Sequence, residues 1–174
     1  MIGKISIFCG PITSGKSEEL IRRVNRCKCM GKNALIFKCE KEERSHTFIV
    51  SRNSLSLQAY SLHEPEMALQ IYDLMEIKPD IIAIDEIQIM PESIVSVVRH
   101  FASLGVDIYI SGLDKAYGGK PFGYLSQLLA VADIVEKKQA VCFNCLDDTA
   151  SFTYWVNEHQ LEARCFKCFD QFVI

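Results

Sequence analysis

The sequence predicts an α/β fold, a parallel sheet with flanking helices, followed by a small C-terminal segment held by a metal ion. Three observations carry this reading. Short apolar runs alternate with stretches of helical periodicity through the first four fifths of the chain, the pattern of strands and helices wound into one parallel sheet. A glycine-bounded turn, GPITSGKS at 10–17, lies between the first run and the first helical stretch. Two CxxC pairs lie close together near the end.

In chain order, residues 4–9 (KISIFC) read as a buried strand, and 17–30 as a helix with Leu20, Ile21 and Val24 inside and Glu18, Arg22, Arg23 and Arg26 outside. ALIFKC at 34–39 is a second strand, and the polar stretch 40–46 a loop. Residues 48–50 and 56–61 fit short strands in a hairpin, and 64–75 a helix. DIIAID at 80–85 is a strand with an acidic end. A helix follows over 91–104, with proline in its first turn, then a strand at 106–111 (VDIYIS). Glycines 112, 118, 119 and 123 mark a loop, 124–132 a short helix and 134–141 the last strand of the sheet. The strands are apolar enough for burial on both faces, and ligands of such sheets sit beyond the carboxyl ends of the strands. The division expected is residues 1–141 for a nucleotide-binding unit and 142–174 for a zinc-binding one.

A chain of 174 residues can hold one sizeable core and a small appendage. Hydrophobic residues at 49% and charged residues at 24% are ordinary globular values and exclude a disordered chain. The net charge of −3 gives no electrostatic footprint for nucleic acid, so no such partner is expected. The apolar run in MIGKISIFCGP is too short for a signal peptide, and no stretch approaches the ~20 apolar residues of a membrane span, so the expectation is a cytoplasmic protein without a membrane partner. Cys9, Cys27, Cys29 and Cys39 lack metal-like pairing and read as small buried residues.

GPITSGKS matches G-x-x-x-x-G-K-[ST] in the context that motif requires, strand before and helix after. Its backbone N–H groups can wrap a phosphate, and the helix amino terminus adds partial positive charge. The residues assigned to a nucleoside triphosphate are Gly10, Pro11, Ile12, Thr13, Ser14, Gly15, Lys16 and Ser17, with Lys16 on the outer phosphates and the Ser17 hydroxyl available to Mg²⁺. Asp85, at the end of an apolar strand, is a second magnesium partner. Glu86 beside it can accept a proton from a hydroxyl nucleophile or from water.

The pattern Cys142-x2-Cys145-x19-Cys165-x2-Cys168 fits zinc spacing. Four thiolates would close the coordination shell of Zn²⁺, which makes the site structural, stapling a segment expected to be too short for its own core.

With these pieces placed, the sequence resembles the cellular-type (type II, zinc-containing) thymidine kinase family over nearly its whole length. The resemblance rests on GPITSGKSEELIRR, AIDEIQI, SGLDKAYGGKPFGYLSQLLAVADIVEKKQAVCFNC and EARCFKC. It implies a P-loop NTPase-like domain plus a small zinc domain, a homotetramer, and transfer of the γ-phosphate of ATP to the 5′-hydroxyl of thymidine or deoxyuridine. Glu86 would be the general base, Leu113, Tyr117, Phe122 and Thr153 would contact the nucleoside, and Arg44 would lie near the phosphates. The sequence departs from the family's pattern at Ile12 (usually methionine), Glu42 (aspartate), Tyr117 (phenylalanine), Trp155 (arginine) and Leu161 (tyrosine). The stretch from Thr153 to Cys165 is shorter than the family's lasso loop, whose backbone reads the thymine edge. An alternative follows from that short loop: a nucleotide-binding, weakly catalytic relative with altered or lost nucleoside specificity.

Overall fold

A computed structural model describes residues 1–39, 47–51, 54–62, 67–73, 77–157 and 160–170. The main sheet has seven strands in the order β3-β4-β2-β5-β6-β1-β7. They are β1 (Ile5–Cys9), β2 (Ala34–Cys39), β3 (Thr47–Val50), β4 (Ser56–Leu62), β5 (Ile81–Asp85), β6 (Asp107–Gly112) and β7 (Ile134–Lys137). All neighbours run parallel except β3, which pairs antiparallel with β4 at one edge. The 48–61 hairpin expected from sequence is therefore present, and its second strand extends the main sheet by pairing with β2.

Strand alternation sorts the core onto two faces. Phe8, Ile36 and Ala83 face α1 (Lys16–Cys29), which buries Leu20, Ile21 and Val24 against them. Ile7, Phe37, Ile82 and Ile84 face the other way, toward Val97, Val98 and Phe101 of α3 (Ser93–Ser103) and Leu125 and Leu128 of α4 (Leu125–Val131). α2 (Met67–Asp73) packs on this second side with α3. Among the described residues no helix is long and apolar enough to cross a membrane.

The register brings the functional loops to one level. Cys9 is paired with Gly112 and with Lys137, and Asp85 with Lys38. The turn after β1, the acidic end of β5 and the loop after β6 thus leave the sheet side by side. β6 lies between β1 and β5, so a residue near its end can touch both loops.

Beyond β7 the chain forms a smaller unit. β8 (Phe152–Asn157) and β9 (Gln160–Arg164) pair antiparallel, and α5 (Phe166–Asp170) follows. Two expectations change here. The last strand of the main sheet ends at Lys137, short of residue 141. The 154–164 stretch expected as a lasso loop is largely a two-stranded hairpin, because FTYWVN and QLEAR can pair side by side with one face apolar. The unit also has a small core of its own, Ala140, Cys142, Ala150, Ala163, Cys165 and Cys168, which the sequence reading did not expect. Phe152 and Phe169 stack at 4.3 Å, their ring edges against Gly119 of the loop after β6.

Candidate active site and cysteine cluster

The turn from Gly10 to Ser17 is set by backbone that only a few residues tolerate. Gly10 (φ 147°) approaches the Lys138 carbonyl so closely that a Cβ would lie 2.2 Å from its oxygen, which leaves room for glycine alone. Gly15 (φ 79°) caps α1 in the left-handed region, and Thr13 (φ 63°) shares that conformation without glycine's freedom. Lys16 Nζ donates to the Pro11 carbonyl at 2.6 Å, and Ser14 Oγ donates to the same oxygen at 2.8 Å. Burial pushes the Lys16 ammonium below its ordinary pKa, while the nearby carboxylates of Glu86, Asp85 and Asp114 oppose the shift. A cavity of about 280 Å³ beside the turn is lined by Thr13, Gly15, Lys16, Ser17, Glu18, Val50 and Ser51.

Asp85 is 3% exposed. Ser17 Oγ donates to its carboxylate at 3.0 Å, and Ser111 Oγ, near the end of the intervening strand β6, donates to Oδ1. Burial raises the Asp85 pKa and the neighbouring Glu86 raises it further, against the two serine hydrogen bonds that lower it. The carboxylate is thus held ready and under-compensated, the condition in which a cation is most welcome.

Glu86 adopts φ 59° and ψ 38°, a left-handed conformation that costs a non-glycine residue about 1–2 kcal/mol. The bend turns the chain into a single 3₁₀ turn, Ile87–Ile89, and brings Gln88 back beside Glu86. Gln88 Nε2 donates to Glu86 Oε2 at 2.6 Å, and Gln88 Oε1 accepts the Leu113 N–H at 3.0 Å. Two glycines make room for this buried glutamine. A Cβ on Gly112 would lie 2.5 Å from Gln88 Oε1, and one on Gly123 would lie 2.2 Å from the Gln88 carbonyl oxygen.

The residues assigned to the nucleoside fall on two elements. Leu113 is buried at the start of the loop after β6, and Phe122 is half-buried further along it, its N–H on the Asp114 carbonyl at 3.2 Å. Tyr117 projects from that loop and meets the ring of Trp155 on β8 edge to face, with centroids 4.8 Å apart. Thr153, 1% exposed, faces the phosphate turn, and its Oγ1 accepts the Ile12 N–H at 3.1 Å. Arg44, assigned to the phosphates, lies outside the described residues, as does Glu42.

Sequence reading gave no role to Gln88 or Ser111. The signal was there: each is a polar residue in an otherwise apolar segment, EIQIM and DIYISG, and a buried polar side chain needs a partner.

The four cysteines of the smaller unit converge, their sulfurs all within 4.8 Å of one another. Cys145 Sγ and Cys165 Sγ are 3.7 Å apart, too far for a disulfide. A tetrahedron with metal–sulfur bonds of about 2.3 Å has edges of about 3.8 Å, so the spacing fits a zinc ion. The protons of the cluster are unevenly held. Burial raises the Cys142 thiol, but the backbone N–H groups of Cys165, Cys145 and Asn144 outweigh it and bring it to about 6. At Cys145 a backbone hydrogen bond from Asp147 lowers the thiol, yet the neighbouring Cys142, Cys168 and Cys165 thiols together with desolvation push it up to about 12. Ile12 of the phosphate turn packs against this cluster, so the two sites are neighbours.

A model of the thymidine kinase family matches residues 3–170, a span that includes the phosphate turn, Asp85, Glu86 and all four clustered cysteines. The chain belongs to the thymidine kinase family. Among solved structures, the large terminase of a thermophilic bacteriophage in complex with ADP is similar at 14% identity and a TM-score of 0.49, over 78% of this chain and 40% of that one. A second crystal form of that terminase gives 12% identity and a TM-score of 0.48, over 79% of this chain and 41% of the other. The family member described here thus spans about 40% of the length of those terminase chains.

Proposed function

We propose that the protein is an ATP-dependent thymidine kinase that transfers the γ-phosphate of ATP to the 5′-hydroxyl of thymidine or deoxyuridine. The observation that carries this reading is the common level of the phosphate turn, Asp85 and Glu86 at one end of the sheet, with Gln88 joining Glu86 to the loop that carries Leu113 and Tyr117. The residues of the turn from Gly10 to Ser17 cradle the triphosphate, and Lys16 leaves the Pro11 carbonyl to meet the outer phosphates. Ser17 and Asp85 are the magnesium partners. Mg²⁺ held there would supply positive charge to the phosphates. Glu86 accepts the proton of the 5′-hydroxyl as its oxygen bonds to the γ-phosphorus, and ADP departs with the bridging electron pair. Leu113, Tyr117, Phe122 and Thr153 surround the nucleoside, and Arg44 serves the phosphates.

Cys142, Cys145, Cys165 and Cys168 would hold a structural zinc ion, and the division that goes with it is a nucleotide-binding unit of residues 1–141 and a zinc-binding one of 142–174. A cytoplasmic homotetramer accompanies this reading, by family membership. The test is a phosphorylation assay across the natural deoxynucleosides with ATP and Mg²⁺. Thymidine-dependent ADP release is expected. ATP binding without transfer to any nucleoside would sink the kinase reading in favour of a nucleotide-binding relative.

A further inference from the structure

Trp155 and Tyr117, far apart in the chain, meet edge to face. Tyr117 belongs to the loop after β6 and Trp155 to β8, so the contact bridges the main sheet to the hairpin. Thr153 and Trp155, two residues apart on one strand, share a face of the hairpin. Thr153 on that face touches the phosphate turn through Ile12. Opposite them on β9 stand Ala163 and Leu161. This apolar face therefore begins at the phosphate turn and ends at the aromatic pair. The pair is not sealed: Trp155 is 45% and Tyr117 36% exposed. An edge-to-face contact at 72° leaves at least one face of each ring clear of the other.

We propose that Trp155, with Tyr117, is the surface that holds the nucleobase, a stacking wall that grips the base by its face. The proposal rests on the nucleoside kinase reading given above. The indole offers a broad apolar plane on which any base can lie. A wall of this kind reads area and flatness more than the donor and acceptor pattern of the base edge. Thymidine and deoxyuridine are then expected to differ little, and deoxycytidine to be tolerated.

Trp155 is the single tryptophan of the chain, so its fluorescence reports this surface directly. Titrating the full-length protein with thymidine in the absence of ATP is expected to quench the emission saturably, with half-saturation near the nucleoside KM. Stacking on an aromatic side chain supports a rise in nucleoside KM of roughly 5- to 100-fold for Trp155→Ala. Trp155→Phe keeps an aromatic face and should stay within about threefold of the parent on the same grounds. The KM for ATP should not move in either variant, which separates a base contact from general damage to the fold. Emission indifferent to saturating thymidine would overturn the proposal. If the protein still phosphorylates thymidine in that case, only the stacking wall falls; if it phosphorylates no nucleoside, the kinase reading falls with it. An unchanged nucleoside KM in Trp155→Ala would also overturn it.

Discussion

Between Cys9 and Ser17 the chain is fixed by its neighbours in a seven-stranded sheet, whereas between Cys142 and Cys168 it is fixed by four sulfurs around a handful of small apolar residues. The first region has deep support. β1 pairs on both sides, Asp85 is braced by two serines, and α1 and α3 close the two faces. The second has a hairpin, one short helix, a cluster of buried alanines and cysteines, and a Phe152–Phe169 stack. Geometry at the phosphate end is a property of the whole fold; the hairpin is tied to a cluster of four cysteines that could hold a metal ion.

If that contrast is right, changes at the phosphate end alter chemistry without unfolding anything. The largest effect is expected from Glu86→Gln. Glutamine keeps the shape but cannot take the proton of a hydroxyl, so turnover should fall about 100- to 10,000-fold, the usual contribution of a general base. ATP affinity, read by calorimetry, should stay near the parent's. An unchanged turnover number would move the role to another group. Next in size is Lys16→Ala. Losing a charged contact to the triphosphate should weaken ATP binding roughly 10- to 150-fold, while the melting temperature stays close to the parent's. Equal ATP affinity would disprove the assignment of the turn.

Metal removal tests the other side. Elemental analysis of desalted protein is expected to give about one zinc per chain, as a closed four-thiolate site requires. Chelation should expose the N–H groups of β8 and β9 to hydrogen exchange while β1, β5 and β6 stay protected. Uniform protection after complete metal loss would show that the hairpin needs no staple.

The smallest effect concerns stability alone. The folded-state pKa of Asp85 is raised by burial and by Glu86, so its ionised form weighs against folding above that pKa and the penalty fades as pH falls toward the unfolded value near 3.9. In ligand-free protein Asp85→Asn should therefore melt higher than the parent at neutral pH, by about 2–4 °C for each kcal/mol relieved. The advantage should shrink in mildly acidic buffer. A variant that melts lower at every pH would mean that the serine hydrogen bonds outweigh the buried charge.

The same contrast decided what the sequence could reveal. The phosphate turn and the cysteine ligands are local patterns whose spacing alone dictates a geometry. The strands were legible because runs such as IIAID are buried on both faces and leave no alternative. Less visible were contacts between segments far apart in the chain. EIQIM shows that Gln88 needs a partner but not that its amide will span from Glu86 to Leu113, since the left-handed turn at Glu86 that permits it is not written in the residue type. At the hairpin the family resemblance implies a loop, while the local alternation in FTYWVN is the signal of a strand. Ile12 and Thr153 were each assigned to a ligand; that they bind each other follows only from the docking of the smaller unit.

That last contact bears on how the protein is made. The turn that opens near the amino terminus takes its shape from residues synthesised much later: Lys138, whose carbonyl crowds Gly10 and whose N–H bonds the Cys9 carbonyl, and Thr153, which receives the Ile12 N–H. A ribosome that has produced the first half of the chain has made the motif but not its mould. Contacts so distant in sequence form slowly, because a long loop must close before they are rewarded. Nucleotide affinity should thus emerge late and abruptly during synthesis, once the hairpin has left the exit tunnel and met the turn, and chains stalled before it would carry an intact signature with little capacity to hold a triphosphate.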